Sequence, residues 1–208
     1  MKKNNYSYIG ISFIILVFGI WAVKSIGNYF SESSLERIGK VPEFSFTDQD
    51  GNTITNKDYE GKVYVVEFFF TSCKTICPIM NKNMLRVQNE FYGNPNVGIA
   101  SFTIDPNYDT PSVLKEYAKN YGITKPQWHF LTGEKEKIHD LANSGFNLYV
   151  GESTEAEDGF EHSGLFALID QNGDIRSRKD SYGNPIIYYN GLEDDGIKIL
   201  IEDIKNLL

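Results

Sequence analysis

Both cysteines of the chain stand in one short stretch, "FFFTSCKTICPIMNKNM", as Cys73 and Cys77, with three residues between them and Pro78 directly after. Such a pair has three chemical uses: a disulfide, a thiol redox switch, or two ligands of a metal site. A bridge across so short a loop gains little from loop-closure entropy, and a chain of this size has no need of a staple. Redox pairs at a helix start usually carry two intervening residues. Three widen the loop and leave it freer to hold two thiolates apart around an ion. A disulfide stays open, since its Cβ atoms need only approach to about 3.5–4.5 Å and a loop can adjust. Two thiolates are soft ligands suited to Cu(I), zinc or an iron–sulfur cluster. A cluster asks for four cysteines and structural zinc for four ligands, whereas this chain has two cysteines in all. Cu(I), content with two or three soft donors, fits best.

A third donor would be a histidine, and the chain has three. His129, in "QWHFLT", lies in a short predicted strand between Trp128 and Phe130 and reads as a packed or partly exposed residue. His139, in "EKEKIHDLANSG", falls mid-helix among charges and reads as part of a solvated face. His162, in "EDGFEHSGLFALID", ends a loop just before a strand, where a side chain can aim at a neighbouring strand's loop. It reads equally as a ligand or as an ordinary loop histidine.

The elements that position these groups follow from pattern. "GKVYVVEFFF", Gly61 to Phe70, is a continuous β-branched and aromatic run, as expected for a central strand buried on both faces. Proline is tolerated in the first helical turn and pushes the residue before it out of the α region. Cys77 is therefore expected at the cap of a helix from Pro78 to Tyr92, and Cys73 in the turn leaving the strand. Both sulfurs then lie near the positive end of a helix dipole, where a thiolate is favoured. The carboxyl end of a buried strand is also the usual place for a site in an open α/β sheet.

Around this centre, "EFSFTDQDGNTIT" predicts a hairpin turning at Asp50-Gly51. Strands are predicted at Val97–Ile104 and "WHFLT", with helices at Pro111–Tyr121, capped by Thr110, and at Glu134–Ser144. "GLFALIDQNGDIRSR" predicts a hairpin turning at Asn172-Gly173, and "DDGIKILIEDIKNLL" an amphipathic closing helix. Strands alternating with helices, then a terminal hairpin and helix, imply an α/β fold with a mixed sheet, parallel in part with an antiparallel edge, flanked by helices.

The chain of 208 residues has a formal net charge of −8 and no basic stripe, which argues against nucleic-acid binding. "YSYIGISFIILVFGIWAV", Tyr6 to Val23, carries no charge and is long enough to cross a hydrocarbon core of about 30 Å as a helix. Lys2 and Lys3 precede it, favouring a cytoplasmic N-terminus. The run ends without an Ala-x-Ala site, so an uncleaved anchor is preferred to a signal peptide. Residues 1–30 then form a membrane anchor, 31–40 ("SESSLERIGK") a polar tether, and 41–208 an extracytoplasmic domain. In that compartment two close cysteines would ordinarily be read as a disulfide.

Taken together, the motifs resemble the Sco/SenC family of membrane-anchored copper chaperones, whose fold is thioredoxin-like. The family's Cys-x-x-x-Cys-Pro signature is matched by "CKTICP", Cys73 to Pro78, after "VVEFFFTS". "IDPNYDTPSVLKEYAKNYG" matches an Asp-Pro-x-x-Asp-Thr-Pro-like segment, "WHFLTG" a Trp-x-Phe-Leu-Thr-Gly segment, and "HSGLFALIDQNG" a distal His-Ser before a hydrophobic strand and an Asp-x-x-Gly turn. The combination spans Val41 to the C-terminus. The resemblance implies that Cys73, Cys77 and His162 bind one copper ion per chain. It also implies a partner, the copper subunit of cytochrome c oxidase, whose dinuclear centre receives the metal; the copper donor is not indicated. Phe160 departs from the Tyr-x-x-Asp-His run common in the family, and "VGESTEAEDGFEH" is acidic, with Glu152, Glu155, Glu157, Asp158 and Glu161. That loop reads as solvated surface or as an electrostatic guide for a basic partner or cuprous ion. Asp105 reads either as part of the site's surroundings or docking face, or as a turn residue satisfying backbone donors.

A different class of function is a membrane-anchored thiol–disulfide reductase, with Cys73 attacking and Cys77 resolving; His162 would then be dispensable. The Pro-x-x-x-Thr-x-x-Cys pattern of peroxiredoxins is missing, because Phe70 stands three residues before Cys73.

Overall fold

The computed structural model describes residues 11–19, 35–153 and 159–208, with the side chains of Glu161 and His162 outside that description. The chain divides into two compact units, residues 1–34 and 35–208. In the first, residues 11–19 are helical. Among the described residues no helix is long and apolar enough to cross a membrane; the rest of the span predicted at Tyr6–Val23 lies outside them.

The second unit runs β1 (Glu36–Lys40), β2 (Ser45–Thr47), β3 (Thr53–Thr55), a 3₁₀ turn (Asn56–Tyr59), β4 (Val63–Phe69), α1 (Cys77–Glu90), β5 (Val97–Thr103), α2 (Pro111–Asn120), β6 (Trp128–Leu131) and α3 (Lys135–Asp140). Helix α3 continues as a π-turn at Leu141–Gly145; then come β7 (Val150–Glu152), β8 (Phe160–His162), β9 (Leu165–Ile169), β10 (Asp174–Ser177), β11 (Tyr189–Asn190) and α4 (Asp194–Leu207). The main sheet has the order β1-β10-β9-β4-β5-β6, with β11 added beside β9. β4, β5 and β6 are mutually parallel, whereas β9, β10 and β1 are antiparallel to their neighbours. This is the mixed, helix-flanked α/β sheet that the sequence pattern implies.

Every residue of β4 and β5 is buried, because these strands sit in mid-sheet with side chains alternating between two covered faces. Phe68 and Phe69 show the alternation. Phe68 stacks on Phe102 at 5.5 Å and meets Phe146, just past the π-turn, edge-on at 5.7 Å. Phe69 faces the other way, to Tyr117 of α2 at 5.6 Å and Phe130 at 5.3 Å.

The predicted hairpins form where turn chemistry demands them. Asp170 Oδ1 accepts the N–H groups of Asn172 and Asp174 at 2.9 and 3.1 Å, and Gly173 takes a φ of +78°, a region open to glycine at no steric cost. Pro111 opens α2 as expected, but the Thr110 side chain makes no cap bond; its hydroxyl pairs with Ser112 at 3.0 Å.

Two local expectations are corrected. Glu36–Lys40, read as tether, is strand β1 on the open edge of β10, braced by Arg37–Asp174 at 3.0 Å and Lys179–Glu36 at 2.6 Å. Its polar residues suit an edge exposed to water, and its pairing is set by β10 rather than by its own composition. Glu134–Ser144, read as one helix, is α3 followed by the π-turn, which closes with Phe146 N–H on the Leu141 carbonyl at 3.0 Å.

Candidate metal centre

Strand β4 delivers the chain through buried Phe70 into the turn that holds Cys73, whose N–H returns to the Phe70 carbonyl at 3.3 Å. Cys77 is the first residue of α1 and Ile76, already in helical geometry, is its cap, so the helix starts one residue earlier than the proline rule suggests. The Ile76 carbonyl accepts the N–H groups of Ile79 and Met80, both at 3.0 Å. The Cys77 N–H donates to Cys73 Sγ at 3.4 Å, and the Thr75 hydroxyl lies 3.5 Å from the same sulfur.

The two sulfurs are therefore together but unequal. Cys73 is 7% exposed and takes a helix-start N–H, the interaction that favours a thiolate. Cys77 is fully buried, and its hydrogen bond to Cys73 together with burial pushes its thiol well above the ordinary range, against a backbone contact from Phe70 that favours the thiolate. The sequence-based expectation that the helix start favours both thiolates thus needs correcting for Cys77, where burial and the shared proton win. The two cysteines are not joined in a disulfide.

A polar cluster lies beneath this pair inside the apolar core. Glu67 of β4 is fully buried; its Oε1 accepts the Ser101 hydroxyl at 2.6 Å, and Ser101 in turn accepts Trp128 Nε1–H at 2.9 Å. Oε2 has no hydrogen-bond partner among the described residues. Burial pushes the Glu67 carboxyl up to about 7, and its charge adds the smallest of the upward pushes on Cys77, raised chiefly by its hydrogen bond to Cys73, and on Tyr117, raised chiefly by burial. Asn81 Nδ2 spans the Cys77 carbonyl at 2.9 Å and the Tyr117 hydroxyl at 2.6 Å. Sequence reasoning missed Glu67, although a single carboxylate inside "VYVVEFF" was a visible signal.

Asp109 was missed as well. Fully buried, it accepts the Thr71 N–H at 3.0 Å and the hydroxyls of Thr71 and Thr103, so it stitches the exit of β4 to the end of β5. Burial leads in holding its carboxyl above the usual range, while those hydrogen bonds oppose the shift. Asp105 has a different position. Its N–H donates to the Thr103 hydroxyl at 3.1 Å, and its carbonyl accepts the N–H groups of Tyr108 and Asp109 at 3.2 and 2.9 Å. Its backbone closes the turn that places Asp109.

The histidines separate cleanly. His129 packs edge-on against Tyr59 at 5.8 Å with Nδ1 3.3 Å from Asp48 Oδ2. His139, expected on a solvated face, is half-buried instead, with Nε2 2.9 Å from the Ile104 carbonyl, because α3 packs over the end of β5. His162 ends β8, its backbone paired with Val150 of β7; its side chain and that of Glu161, like the residues Glu155, Glu157 and Asp158, lie outside the description. Two residues before it, Phe160 sets its ring 5.3 Å from that of Phe70, three residues before Cys73. Strand β8 thus runs beside the exit of β4. Among the described residues, no group of three His, Cys, Asp or Glu side chains is arranged to hold a metal.

The SCO1/SenC family model matches residues 33–194. The SCO1 protein homolog of Bacillus subtilis is 34% identical over 169 residues, 80% of this chain and 82% of that one. The solved structure of BsSco, described as having a disulfide switch and as a member of the Sco family of cytochrome c oxidase assembly proteins, superposes with a TM-score of 0.69 at 31% identity, covering 83% of this chain and 95% of that one. A protein of Stutzerimonas stutzeri named for copper binding is 28% identical over 145 residues, 68% of this chain and 70% of that one. With a Cys-x-x-x-Cys-Pro turn leaving the central strand of such a fold, the chain belongs to the SCO1/SenC family.

Proposed function

We propose that this protein is an extracytoplasmic copper chaperone, held to the membrane by its N-terminal segment, that carries one copper ion per chain on Cys73, Cys77 and His162. One observation carries the reading: two sulfurs meet at the head of α1, one accepting the other residue's N–H at 3.4 Å, while strand β8, which ends at His162, sets Phe160 against Phe70 just before the same loop. Two cysteine sulfurs and an imidazole make a soft, low-coordinate donor set suited to Cu(I). The metal is cargo. Its binding must displace the proton that Cys77 holds, and oxidation of the pair to a disulfide, with two electrons leaving to a thiol oxidant, would remove both sulfur ligands. Loading and release are thereby tied to the redox state of the pair, in keeping with the disulfide switch described for BsSco.

The recipient on this reading is the dinuclear copper centre of cytochrome c oxidase, by likeness to the assembly role attached to BsSco. Ile79, two residues past Cys77, and Tyr108, in the turn closed by Asp105, are exposed and offer apolar contact to such a partner. The inequality of the two thiols also suits a thiol–disulfide reductase, with Cys73 attacking and Cys77 resolving. Titrating the reduced full chain with Cu(I) tests the chaperone: saturation at one equivalent is expected, lost in Cys73→Ser and weakened in His162→Ala. Insulin reduction by His162→Ala at the wild-type rate, together with unchanged copper affinity, would favour the reductase.

A further inference from the structure

The hairpin β7–β8 carries His162, and its ladder has three rungs: Val150 with His162, Gly151 with Glu161, and Glu152 with Phe160. It forms a two-stranded sheet apart from the main one, and two strands alone are marginal in water. Its seat is α3 and the π-turn. Asn143, inside the π-turn, donates through Nδ2 to the Val150 carbonyl at 3.0 Å and accepts the Val150 N–H on Oδ1 at 3.0 Å. One side-chain amide thus pairs with both backbone groups of Val150, as an adjoining strand would. At the other end of the ladder, Lys135 pairs with Glu152 and lies 5.3 Å over the Phe160 ring. The connection between seat and hairpin is also tied: Leu148 N–H reaches the Ala142 carbonyl at 2.9 Å, and Asn147 takes a left-handed φ of 51°. Two side chains of one helical element therefore hold the first and last rungs, and the first rung is the one that contains His162.

We propose that Asn143, assisted by Lys135, is a positioning residue for the histidine ligand: it fixes the backbone of the His162 rung on the π-turn, so that the ligand strand is presented to the cysteine loop before metal arrives. The inference rests on the copper reading above and adds what places the third donor. A ligand on an unclamped hairpin must be ordered at the moment of binding, which lowers affinity. The π-turn has a purpose on this view, since widened turns recur where a helix must redirect a side chain for function.

The test is a competition titration of the reduced full chain, in mild detergent, against a chromophoric Cu(I) chelator. The proteins compared are wild type, Asn143→Ala, His162→Ala and the double variant. Asn143→Ala is expected to weaken Cu(I) binding on the order of tenfold, the effect of losing a residue that orients a ligand. In the His162→Ala background the same substitution is expected to change nothing further, because its effect passes through the imidazole. Asn143→Asp, which keeps the acceptor and loses the donor, should fall between. Equal affinities for wild type and Asn143→Ala, or the same fold-loss with and without His162, would overturn the inference and leave the copper reading standing. A wild-type chain that binds no Cu(I) would overturn both. Should Asn143→Ala fail to fold, Lys135→Met carries the same expectation with a smaller loss, again absent without His162.

Discussion

Replacing Glu67 by Gln isolates one buried charge from the rest of the fold. Glu67 sits fully buried in mid-sheet with one oxygen on the Ser101 hydroxyl and the other without a partner among the described residues. Burial raises its carboxyl from 4.5 to about 7, with the Ser101 hydrogen bond opposing. A folded-state value above the unfolded one means that the folded chain holds the proton more tightly. The stabilisation is therefore complete below about pH 4.5 and is lost as the pH rises through about 7, levelling off beyond. At ~1.4 kcal/mol per unit, the gap between 4.5 and about 7 amounts to about 3 kcal/mol. A glutamine cannot ionise, so Glu67→Gln should match wild type near pH 4 and exceed it by about 3 kcal/mol near pH 8. Urea unfolding at intervals between those pH values, with the cysteines reduced, measures the difference directly. Asp109, raised in the same direction, is present in both proteins and cancels. Parallel stability profiles for the two proteins across this range would refute the reasoning, since they would mean that Glu67 is ionised or hydrated inside the fold at little cost.

Three further outcomes follow from the same geometry. Asp109→Ala removes the acceptor of the Thr71 N–H and of two hydroxyls; unfolding should come about 2–3 kcal/mol sooner by denaturant titration, and iodoacetamide should alkylate Cys73 faster as the loop loosens. Lys125, 3% exposed, donates to the carbonyls of Phe91 and Asn94 at 2.9 and 3.0 Å; Lys125→Met should cost about 2 kcal/mol by thermal or urea unfolding, because both carbonyls lose their donor. Cu(I) affinity should fall as the pH drops, since the raised Cys77 thiol must give up its proton to bind; a flat affinity between pH 6 and pH 8, measured by chelator competition, would contradict a Cys77 ligand.

Much of this protein was legible in the order of its residues because the signals are local. A run of branched and aromatic residues from Val63 to Phe69 announces a strand covered on both faces, and Asp170 to Asp174 specify their own turn. A proline directly after Cys77 places the thiol pair at a helix start wherever that helix goes. What the tertiary structure alone decided depends on groups distant in the chain. Strand β1 exists because β10 leaves an edge for it, not because "ERIGK" favours extension. The job of Asp109 appears only when Thr71, 38 residues away, folds against it, and that of Asn143 only when the π-turn meets β7. The inequality of Cys73 and Cys77 was also invisible in sequence. Spacing sets how far apart two sulfurs can lie, but the hydrogen bond to Cys73 and burial, which depend on everything packed around them, decide how tightly Cys77 keeps its proton.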